Sequence, residues 1–396
     1  MNFIFVSPNF PKSYWNFCDR LRRDGANVLA IGDASYESLE PGLKSCLTEY
    51  YRVDNMQDYS QMYRAVAYFT FHYGKIDWLE SNNEFWLEQD ARLRTDFNIT
   101  TGVKSDVIKY FKSKAEMKSR YAIAGVPTAR LRRVTTIEDL REFISLVEYP
   151  IIAKPENGVG AEDTYKITND SELERFFASK PPCDYVAEEF ITGDICSYDA
   201  IIGPDCEPLF ESMSVFPPSI ADIVNQGLEL SYYVSKEVAP QLRDYGRRTA
   251  KAFNAANRFV HMEFFRLTRA HKGLGEVGDF AGLEVNMRPA GGYTPDMINF
   301  AHSVDVYQIW ADMACFGKRL FPEPEKEYFC AYSSRRDGVE YVHSNDEVMD
   351  KYADNLVMFE RMPDAIAGAM GNQMYTVKLE TLEEVEEFKR FVTERG

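Results

Sequence analysis

Short apolar runs alternate with amphipathic stretches over the first quarter of the chain. Apolar runs predict strands and a 3.6-residue periodicity predicts helices. The predicted strands are 2–7, 26–31 and 76–79, and the predicted helices are 14–23, 59–73 and 83–97. Strands that alternate with helices are typical of a parallel, doubly wound sheet. No Gly-x-Gly-x-x-Gly motif follows the first strand, so a dinucleotide site is not expected there.

After residue 103 the pattern changes to helices separated by hairpins. Thr135-Thr-Ile-Glu138 resembles a capping box for the helix through Leu146, and Asp170 is predicted to cap helix 171–178. The other predicted helices are 114–124 and 241–256, with a last helix after the capping box at 381–384. The predicted strands are 150–154, 165–167, 185–189, 197–202, 260–267 and 283–288. We therefore expect three units, at 1–103, 104–185 and 186–396.

The most informative predicted strand is the one at 283–288. Side chains alternate across a strand, so Glu284, Asn286 and Arg288 are expected to share one face, with Val285 and Met287 on the other. A carboxylate and an amide oxygen suit a hard cation such as Mg²⁺, and a guanidinium suits phosphate oxygens. A half-solvated edge strand would explain this segment alone equally well.

Two lysines and one strand add candidate chemistry. Lys154 ends an apolar strand and precedes a glycine-bearing turn, whose N–H groups could cover phosphate oxygens, although an ordinary hairpin is the simpler interpretation. Lys114 alone is an unremarkable helix residue. His261 and Glu263 share a face of an apolar strand and are costly to bury unless they are paired or bind a metal. Their spacing resembles a zinc pair, but further zinc ligands are absent, so Mg²⁺ is preferred.

One motif is set aside because of its context. Gly273-Leu-Gly-Glu-Val-Gly278 matches a dinucleotide-binding pattern but lies between two predicted strands. No helix follows it, and Glu276 would repel a pyrophosphate. We expect an ordinary hairpin turn.

Composition narrows the class of protein. The chain has 396 residues and a net charge of −17, which does not favour nucleic acid or an anionic membrane as partner. Its seven cysteines show no Cys-x-x-Cys pair and fit reduced thiols in the cytoplasm. Pro8 and Pro11 interrupt the first apolar run too early for a signal peptide, and no run is long enough to span a membrane.

The order of these motifs resembles the ATP-grasp superfamily of carboxylate–amine ligases over roughly residues 1–320. The motifs are Lys114, Lys154 with its glycine turn, Glu188-Glu-Phe-Ile191-Thr-Gly193, Glu263 and Glu284-x-Asn286-x-Arg288. Two segments, Asn83-Glu-Phe-Trp86 leading into Ala91-Arg-Leu-Arg94, and Arg288-Pro-Ala-Gly-Gly292, are similar to the L-amino acid ligase and carnosine synthase group. The resemblance implies a mixed α/β and α+β ATP-grasp fold. Residues 1–103 would be the Rossmann-like pre-ATP-grasp domain, 104–185 the small lobe, and 186–396 the large lobe with a C-terminal extension.

The resemblance also implies roles for individual residues. ATP would be bound by Lys114, Lys154, Gly158, Gly160, Glu188, Glu189, Ile191 and Asp194. Within this set, Glu188 would bind the adenine amino group, and the backbone of Glu189 and Ile191 the adenine edge. Mg²⁺, or alternatively Mn²⁺, would be held by Glu263, Glu284 and Asn286. Arg288 would stabilise the transferred phosphoryl group, and the substrate would be contacted by Glu84, His261, Gly291 and Gly292.

Two positions depart from the family pattern. The family often has a ribose-binding Glu where this chain has Ile195, so the neighbouring Asp194 is expected to take the ribose after a small backbone shift, or the ribose contact is weaker. Glu162 and Asp163 follow the glycine turn, and acidic groups there must point away from phosphate oxygens or meet an amine or Mg²⁺.

The activity implied is the ATP-dependent joining of a small-molecule carboxylate, such as an amino acid, to an amine through an acyl phosphate. Neither nucleic acid nor membrane is expected as a partner, and family members are often dimers. One alternative is another ATP-grasp reaction, either carboxylation or purine-pathway ligation, although the chain has no biotin-carrier segment. The other is a nucleotide-binding regulatory protein without catalysis.

Overall fold

A computed structural model describes residues 1–158, 163–217, 227–322 and 326–396. Its first part is a parallel sheet of four strands in the order β3-β2-β1-β4. The strands are β1 (Asn2–Val6), β2 (Asn27–Gly32), β3 (Glu49–Arg52) and β4 (Trp78–Glu80), and the helices are α1 (Trp15–Arg23), α2 (Pro41–Cys46), α3 (Tyr59–Tyr73) and α4 (Leu87–Asp96). The predicted doubly wound parallel sheet is confirmed. The helix predicted at 83–97 begins with a 3₁₀ turn, Glu84–Trp86.

Two helices lead from this sheet to a small antiparallel sheet. The helices are α5 (Lys109–Lys112) and α6 (Lys114–Ala124). The strands are β5 (Leu131–Arg133), β6 (Ile151–Pro155), β7 (Tyr165–Ile167) and β8 (Tyr185–Glu189), in the order β5-β8-β6-β7, and α7 (Ile137–Val147) and α8 (Asp170–Ser179) pack on them. Both predicted caps on these helices are wrong by one residue. Thr136 caps α7 by accepting from Asp139 N, and Asn169 caps α8 by accepting from Glu172 N.

The remaining chain forms an antiparallel sheet of eight strands in the order β13-β12-β9-β10-β11-β14-β16-β15. The strands are β9 (Gly193–Ile202), β10 (Pro208–Val215), β11 (Ser231–Val234), β12 (Arg258–Leu267), β13 (Phe280–Asn286), β14 (Phe329–Arg335), β15 (Leu356–Arg361) and β16 (Gln373–Leu379). The helices are α9 (Pro240–Phe253), α10 (Thr294–His302), α11 (Val306–Phe316), α12 (Asn345–Lys351), α13 (Asp364–Met370) and α14 (Leu382–Thr393). The predicted capping box at Thr381 and Glu384 is confirmed. The glycine motif at 273–278 lies in the β12–β13 hairpin, as predicted.

The parallel sheet packs against the large sheet through both aromatic and charged contacts. Trp310 of α11 meets the rings of Phe3, Phe5 and Phe17 at centroid distances of 5.6, 6.3 and 4.9 Å. Apolar burial of this kind is the main source of stability at such an interface.

A buried charge network lies at the same interface. Glu80, at the carboxyl end of β4, pairs with Arg94 at 2.8 Å and with Arg258 of β12 at 3.7 Å. Arg258 also donates from Nη1 to Met287 O at 3.2 Å. Removing one member would leave a buried charge without compensation. Because Arg258 also binds Met287 O, the network holds the backbone directly before Arg288 in place.

The predicted boundary at 185/186 would cut β8, which pairs with β5 and β6 of the small sheet. We propose instead that the small lobe ends between Glu189 and Gly193, where the chain passes to β9. Among the described residues no helix combines the length and apolar character of a membrane-spanning segment. All seven cysteines are described, and all are free thiols.

Candidate active site

The predicted metal ligands meet on two paired strands at the edge of the large sheet. Glu263 of β12 lies opposite Glu284 of β13, and His261 lies opposite Asn286. Residues in such register present neighbouring side chains on one face. The predicted strand 283–288 is too long, because β13 ends at Asn286. Arg288 therefore lies beyond the strand, although Val285 and Met287 are buried as predicted.

The charges at this pair suit a divalent cation. Burial raises the pKa of Glu284; the Lys114 ammonium opposes the shift and the Glu263 carboxylate adds to it. Asn286 is buried, and its amide makes no hydrogen bond with the residues that the structure describes. Two carboxylates and an amide oxygen form the donor set that Mg²⁺ prefers. Within the described ranges no three His, Cys, Asp or Glu side chains form a metal cluster, so a cation here would need oxygens from a bound ligand, and the metal role of these residues stays a prediction.

His261 makes its contacts with two carboxylates of this chain, and its predicted contact with the substrate stays a prediction. Its Nδ1 lies 2.7 Å from Asp199 Oδ1 and its Nε2 lies 3.2 Å from Glu263 Oε1, so both ring nitrogens are occupied by carboxylates. Burial alone would lower the pKa of His261, but Asp199 and then Glu263 raise it to about 9. The ring thus links Asp199 to Glu263. Asp199 was not predicted as a site residue, because its contact with His261 depends on the pairing of β9 with β12.

Three lysines surround the neighbouring space. Lys154 Nζ lies 2.6 Å from Glu188 Oε2, and Lys118 Nζ lies 2.8 Å from Glu188 Oε1. Lys114 Nζ lies 3.6 Å from Glu284 Oε1 and donates to Gly158 O at 3.2 Å. Burial alone would raise the pKa of Glu188, but Lys118 and Lys154 lower it to about 2.

The structure thus brings together Lys114, Lys154, Glu188 and Gly158 as predicted candidates, and it adds Lys118. This lysine was missed in the sequence, although it stands four residues after Lys114 and therefore on the same face of α6. An ionised Glu188 holds two of the ammonium groups close together. Its expected contact with an adenine amino group remains a prediction.

The glycine turn is described only in part. Gly160 and Glu162 lie outside the described residues, so their predicted positions have no structural counterpart here. Asp163 is exposed, and its carbonyl accepts a hydrogen bond from Tyr185 OH at 3.2 Å. The carboxylate of Asp163 is expected either to point away from the phosphate oxygens or to meet an amine or Mg²⁺. Its exposure to solvent is compatible with the first of these.

The segment between the two lobes offers backbone groups. Glu189 N donates to Arg130 O at 3.1 Å, so a backbone contact from Glu189 to a base would have to use its carbonyl oxygen. The Glu189 carboxylate is held by Arg130, with Nη2 2.6 Å from Oε2. Ile191 N makes no hydrogen bond with any residue in the described ranges. A free N–H at this position suits the acceptor nitrogen of an adenine ring.

The position of Asp194 in β9 does not favour its predicted contact with a ribose, which stays a prediction. In β9 the residue aligned with Glu263 is Ser197, and Ile195 is two residues away on the same face. Asp194 points to the opposite face, where it lines a pocket with Arg266 and Lys389. A small backbone shift cannot reverse the face of a strand residue. Ile195 therefore presents an apolar side chain where the family has its Glu.

Arg288 is held by the carboxyl end of the parallel sheet. Its Nε lies 3.6 Å from Glu84 Oε2, and its Nη1 donates to Pro289 O at 2.8 Å. Glu84 also accepts from Lys112 Nζ through Oε1 at 2.8 Å, which was not foreseen from the sequence. Arg288, Glu84, Gly291 and Gly292 all line one cavity, so the structure brings together the predicted substrate residues except His261.

The fold and this site define the class of protein. The chain aligns over 98% of its length with the L-amino acid ligase of Bacillus licheniformis, over 96% of that chain, at a TM-score of 0.70 and 14% identity. It also aligns over 98% of its length with the biotin carboxylase domain of a Hydrogenobacter thermophilus 2-oxoglutarate carboxylase, which was solved with MgADP. This alignment covers 88% of the other chain, at a TM-score of 0.64 and 16% identity. The chain has the ATP-grasp fold.

Curated relatives agree with this class, and the resemblance to L-amino acid ligases is confirmed. The chain is 24% identical over 300 residues to an L-arginine-specific L-amino acid ligase of Bacillus subtilis, covering 73% of this chain and 69% of the relative. It is 24% identical over 268 residues to an alanine–anticapsin ligase of Bacillus subtilis, covering 61% of this chain but only 54% of that relative. No protein-family model matches the chain.

Proposed function

We propose that this protein is an ATP-dependent ligase that joins a small-molecule carboxylate to an amine, with release of ADP and phosphate. The observation that carries the proposal is the register of β12 and β13, which sets Glu263 against Glu284 beside Asn286 and within reach of Lys114. This arrangement can hold a hard cation and a polyphosphate at the same place. The likeness in fold and sequence to amino acid ligases supports the same activity.

Each group has a place in the proposed chemistry. Lys114, Lys118 and Lys154 neutralise the phosphates of ATP. Glu263, Glu284 and Asn286 hold Mg²⁺, or Mn²⁺ in its place, which when bound offsets the negative charge of the phosphate oxygens. The adenine lies along Glu188, the carbonyl of Glu189 and the N–H of Ile191. Arg288 faces the phosphoryl group as it is transferred.

The reaction proceeds in two steps. An oxygen of the substrate carboxylate attacks the γ-phosphorus of ATP, the bond from that phosphorus to the bridging oxygen breaks, and ADP leaves an acyl phosphate behind. The amine nitrogen then attacks the acyl carbon, the carbon–oxygen bond to phosphate breaks, and the amine loses a proton as the amide forms. Transfer of this kind needs alignment and charge neutralisation more than covalent catalysis. The three lysines and Arg288, placed around Glu263 and Glu284, provide both the alignment and the charge neutralisation.

The test is a coupled assay of ADP release over pairs of amino acids and amines. ADP should form only when a carboxylate and an amine are both present, because an acyl phosphate without an amine accumulates and blocks turnover. ADP release stimulated by bicarbonate alone would favour a carboxylation reaction instead. Binding of ATP in calorimetry without ADP release from any substrate pair would favour a regulatory role.

Two further properties belong to the same proposal. The protein acts in the cytoplasm on small molecules, in keeping with its free thiols. It forms a homodimer, as ATP-grasp domains do in the biotin carboxylase structure. Light scattering of the purified protein should give the mass of two chains, and the mass of one chain would refute the homodimer.

A further inference from the structure

A large cavity adjoins Arg288, and Lys114, Lys118 and Lys154 do not line it. Its volume is about 580 Å³. Its wall combines four parts of the chain: the loop after β1, the turn after β4, the residues after β13, and α13 with the proline before it. The side chains that give the wall its apolar character are Phe10, Tyr14, Phe85, Tyr293, Ile366 and Met370. A cavity of this size and character is typical of a small-molecule site.

Polar groups gather at the Arg288 end of this cavity. Glu84 is only 9% exposed, and its Oε2 atom makes no hydrogen bond with the residues that the structure describes. The same atom lies 3.6 Å from Arg288 Nε. Asn9 adds a second buried oxygen without a hydrogen bond, Oδ1, in the same wall. Buried acceptors of this kind are costly unless a donor reaches them, and a carboxylate oxygen favours an ammonium group.

We propose that the cavity binds the side chain of the carboxylate substrate, and that this substrate is an α-amino acid with a large apolar side chain. The inference rests on the proposed ligase function and names its substrate. The carboxylate would lie at Arg288, and the α-ammonium, one carbon away, would meet Glu84 Oε2. The side chain then points into the apolar wall, where a charged side chain would lose its hydration without a partner.

Lys12, a cation at the rim of the cavity, could instead favour a substrate with an acidic side chain, and the test must distinguish these two classes of substrate. Lys12 is exposed and lines the cavity. An acidic side chain could pair with it only near solvent, where such a pair contributes little. Acidic amino acids therefore belong in the substrate panel as a competing class.

Gly291 is a position at which a side chain can be added to the cavity wall. A Cβ atom at Gly291 would meet no atom within 4 Å, and the residue is not in the left-handed region. Gly292 differs, since its φ is +62° and a Cβ there would lie 3.0 Å from Met370 Cε. Gly368 of α13 is the matched control, because a Cβ there also meets nothing within 4 Å and the residue does not line the cavity.

The experiment compares wild type, Gly291→Leu and Gly368→Leu with alanine, leucine, phenylalanine, glutamate and arginine as carboxylate substrates. In the wild type, kcat/KM for leucine should exceed that for alanine by about 10³-fold, since leucine adds three carbon atoms and each buried methylene contributes about tenfold. Phenylalanine should be preferred over alanine at least as strongly. Gly291→Leu should remove most of this preference, because kcat/KM for phenylalanine and leucine should fall more than kcat/KM for alanine. Gly368→Leu should behave as the wild type.

A second measurement separates this inference from the ligase proposal. Calorimetry of phenylalanine binding to the wild type and Gly291→Leu needs no turnover. Weaker binding in Gly291→Leu together with no ADP release from any pair would keep the cavity assignment and refute the ligase. ADP release that favours alanine, glutamate or arginine, or an equal loss for every substrate in Gly291→Leu, would overturn the inference and leave the ligase standing.

Discussion

Glu284→Ala is expected to lower the rate of ADP formation by about 10³-fold. Glu284 faces Glu263 across the β12–β13 pair and lies on the same face of β13 as Asn286. A metal ion at phosphoryl oxygens supplies several kcal/mol of charge stabilisation in the transition state. About 4 kcal/mol corresponds to about 10³-fold in rate. The measurement is steady-state ADP release at saturating ATP, with circular dichroism to verify the fold.

Glu276→Ala is the control for this variant. Glu276 is an exposed residue in the hairpin that joins the same two strands. Its removal takes one carboxylate from the hairpin without touching the site, and turnover should be unchanged. Turnover in Glu284→Ala equal to that of Glu276→Ala would show that Glu284 holds no ion needed for catalysis.

Arg288→Lys should lower kcat by about 10²-fold while the KM for ATP changes little. A guanidinium presents a planar fork that binds two oxygens at once, and an ammonium is a point charge. Removing one donor to a developing negative charge costs about 10²-fold or more in kcat. The KM for ATP should change little, because Lys114, Lys118 and Lys154 still surround the space proposed for the phosphates. Full steady-state kinetics in ATP and in the carboxylate substrate would measure both constants.

Arg269→Lys provides the comparison, since Arg269 is exposed in the β12–β13 hairpin and does not line the cavity beside Arg288. It should leave kcat and both KM values unchanged. An increase in the KM for ATP with an unaltered kcat in Arg288→Lys would mean that Arg288 binds ATP equally in the ground state and the transition state. Its assignment to the transferred phosphoryl group would then be wrong.

The sequence was sufficient for the parts of the fold and site that depend on local pattern. Period-two alternation placed Glu284 and Asn286 on one face, opposite Val285, and the structure agrees. Helix periodicity located α3 and α6 at their observed bounds. The alternation of strands and helices in the first domain likewise predicted its parallel sheet.

Contacts between distant segments were not accessible in the same way. Asp199 meets His261 only because β9 pairs with β12 in one register, and nothing near either residue specifies that register. The missed strands β11 and β14 likewise pair with each other from distant parts of the chain; for example, Tyr232 pairs with Tyr332. Long-range pairing of this kind is decided by packing rather than by local preference.

The prediction for Asp194 depended on the position of one strand boundary. The strand was predicted to begin at residue 197, which left Asp194 in a loop and free to turn. β9 in fact begins at Gly193, so alternation already fixes the face on which Asp194 lies. A four-residue error in one strand boundary thus changed the assignment of a binding residue.

The most direct test of the proposed chemistry follows an oxygen atom. A carboxylate substrate labelled with ¹⁸O is incubated with ATP, Mg²⁺ and an amine, and the phosphate released is analysed by mass spectrometry. Attack of the carboxylate on the γ-phosphorus predicts that one ¹⁸O atom per turnover appears in inorganic phosphate. Unlabelled phosphate, or ¹⁸O found in AMP, would contradict the acyl phosphate and with it the proposed function.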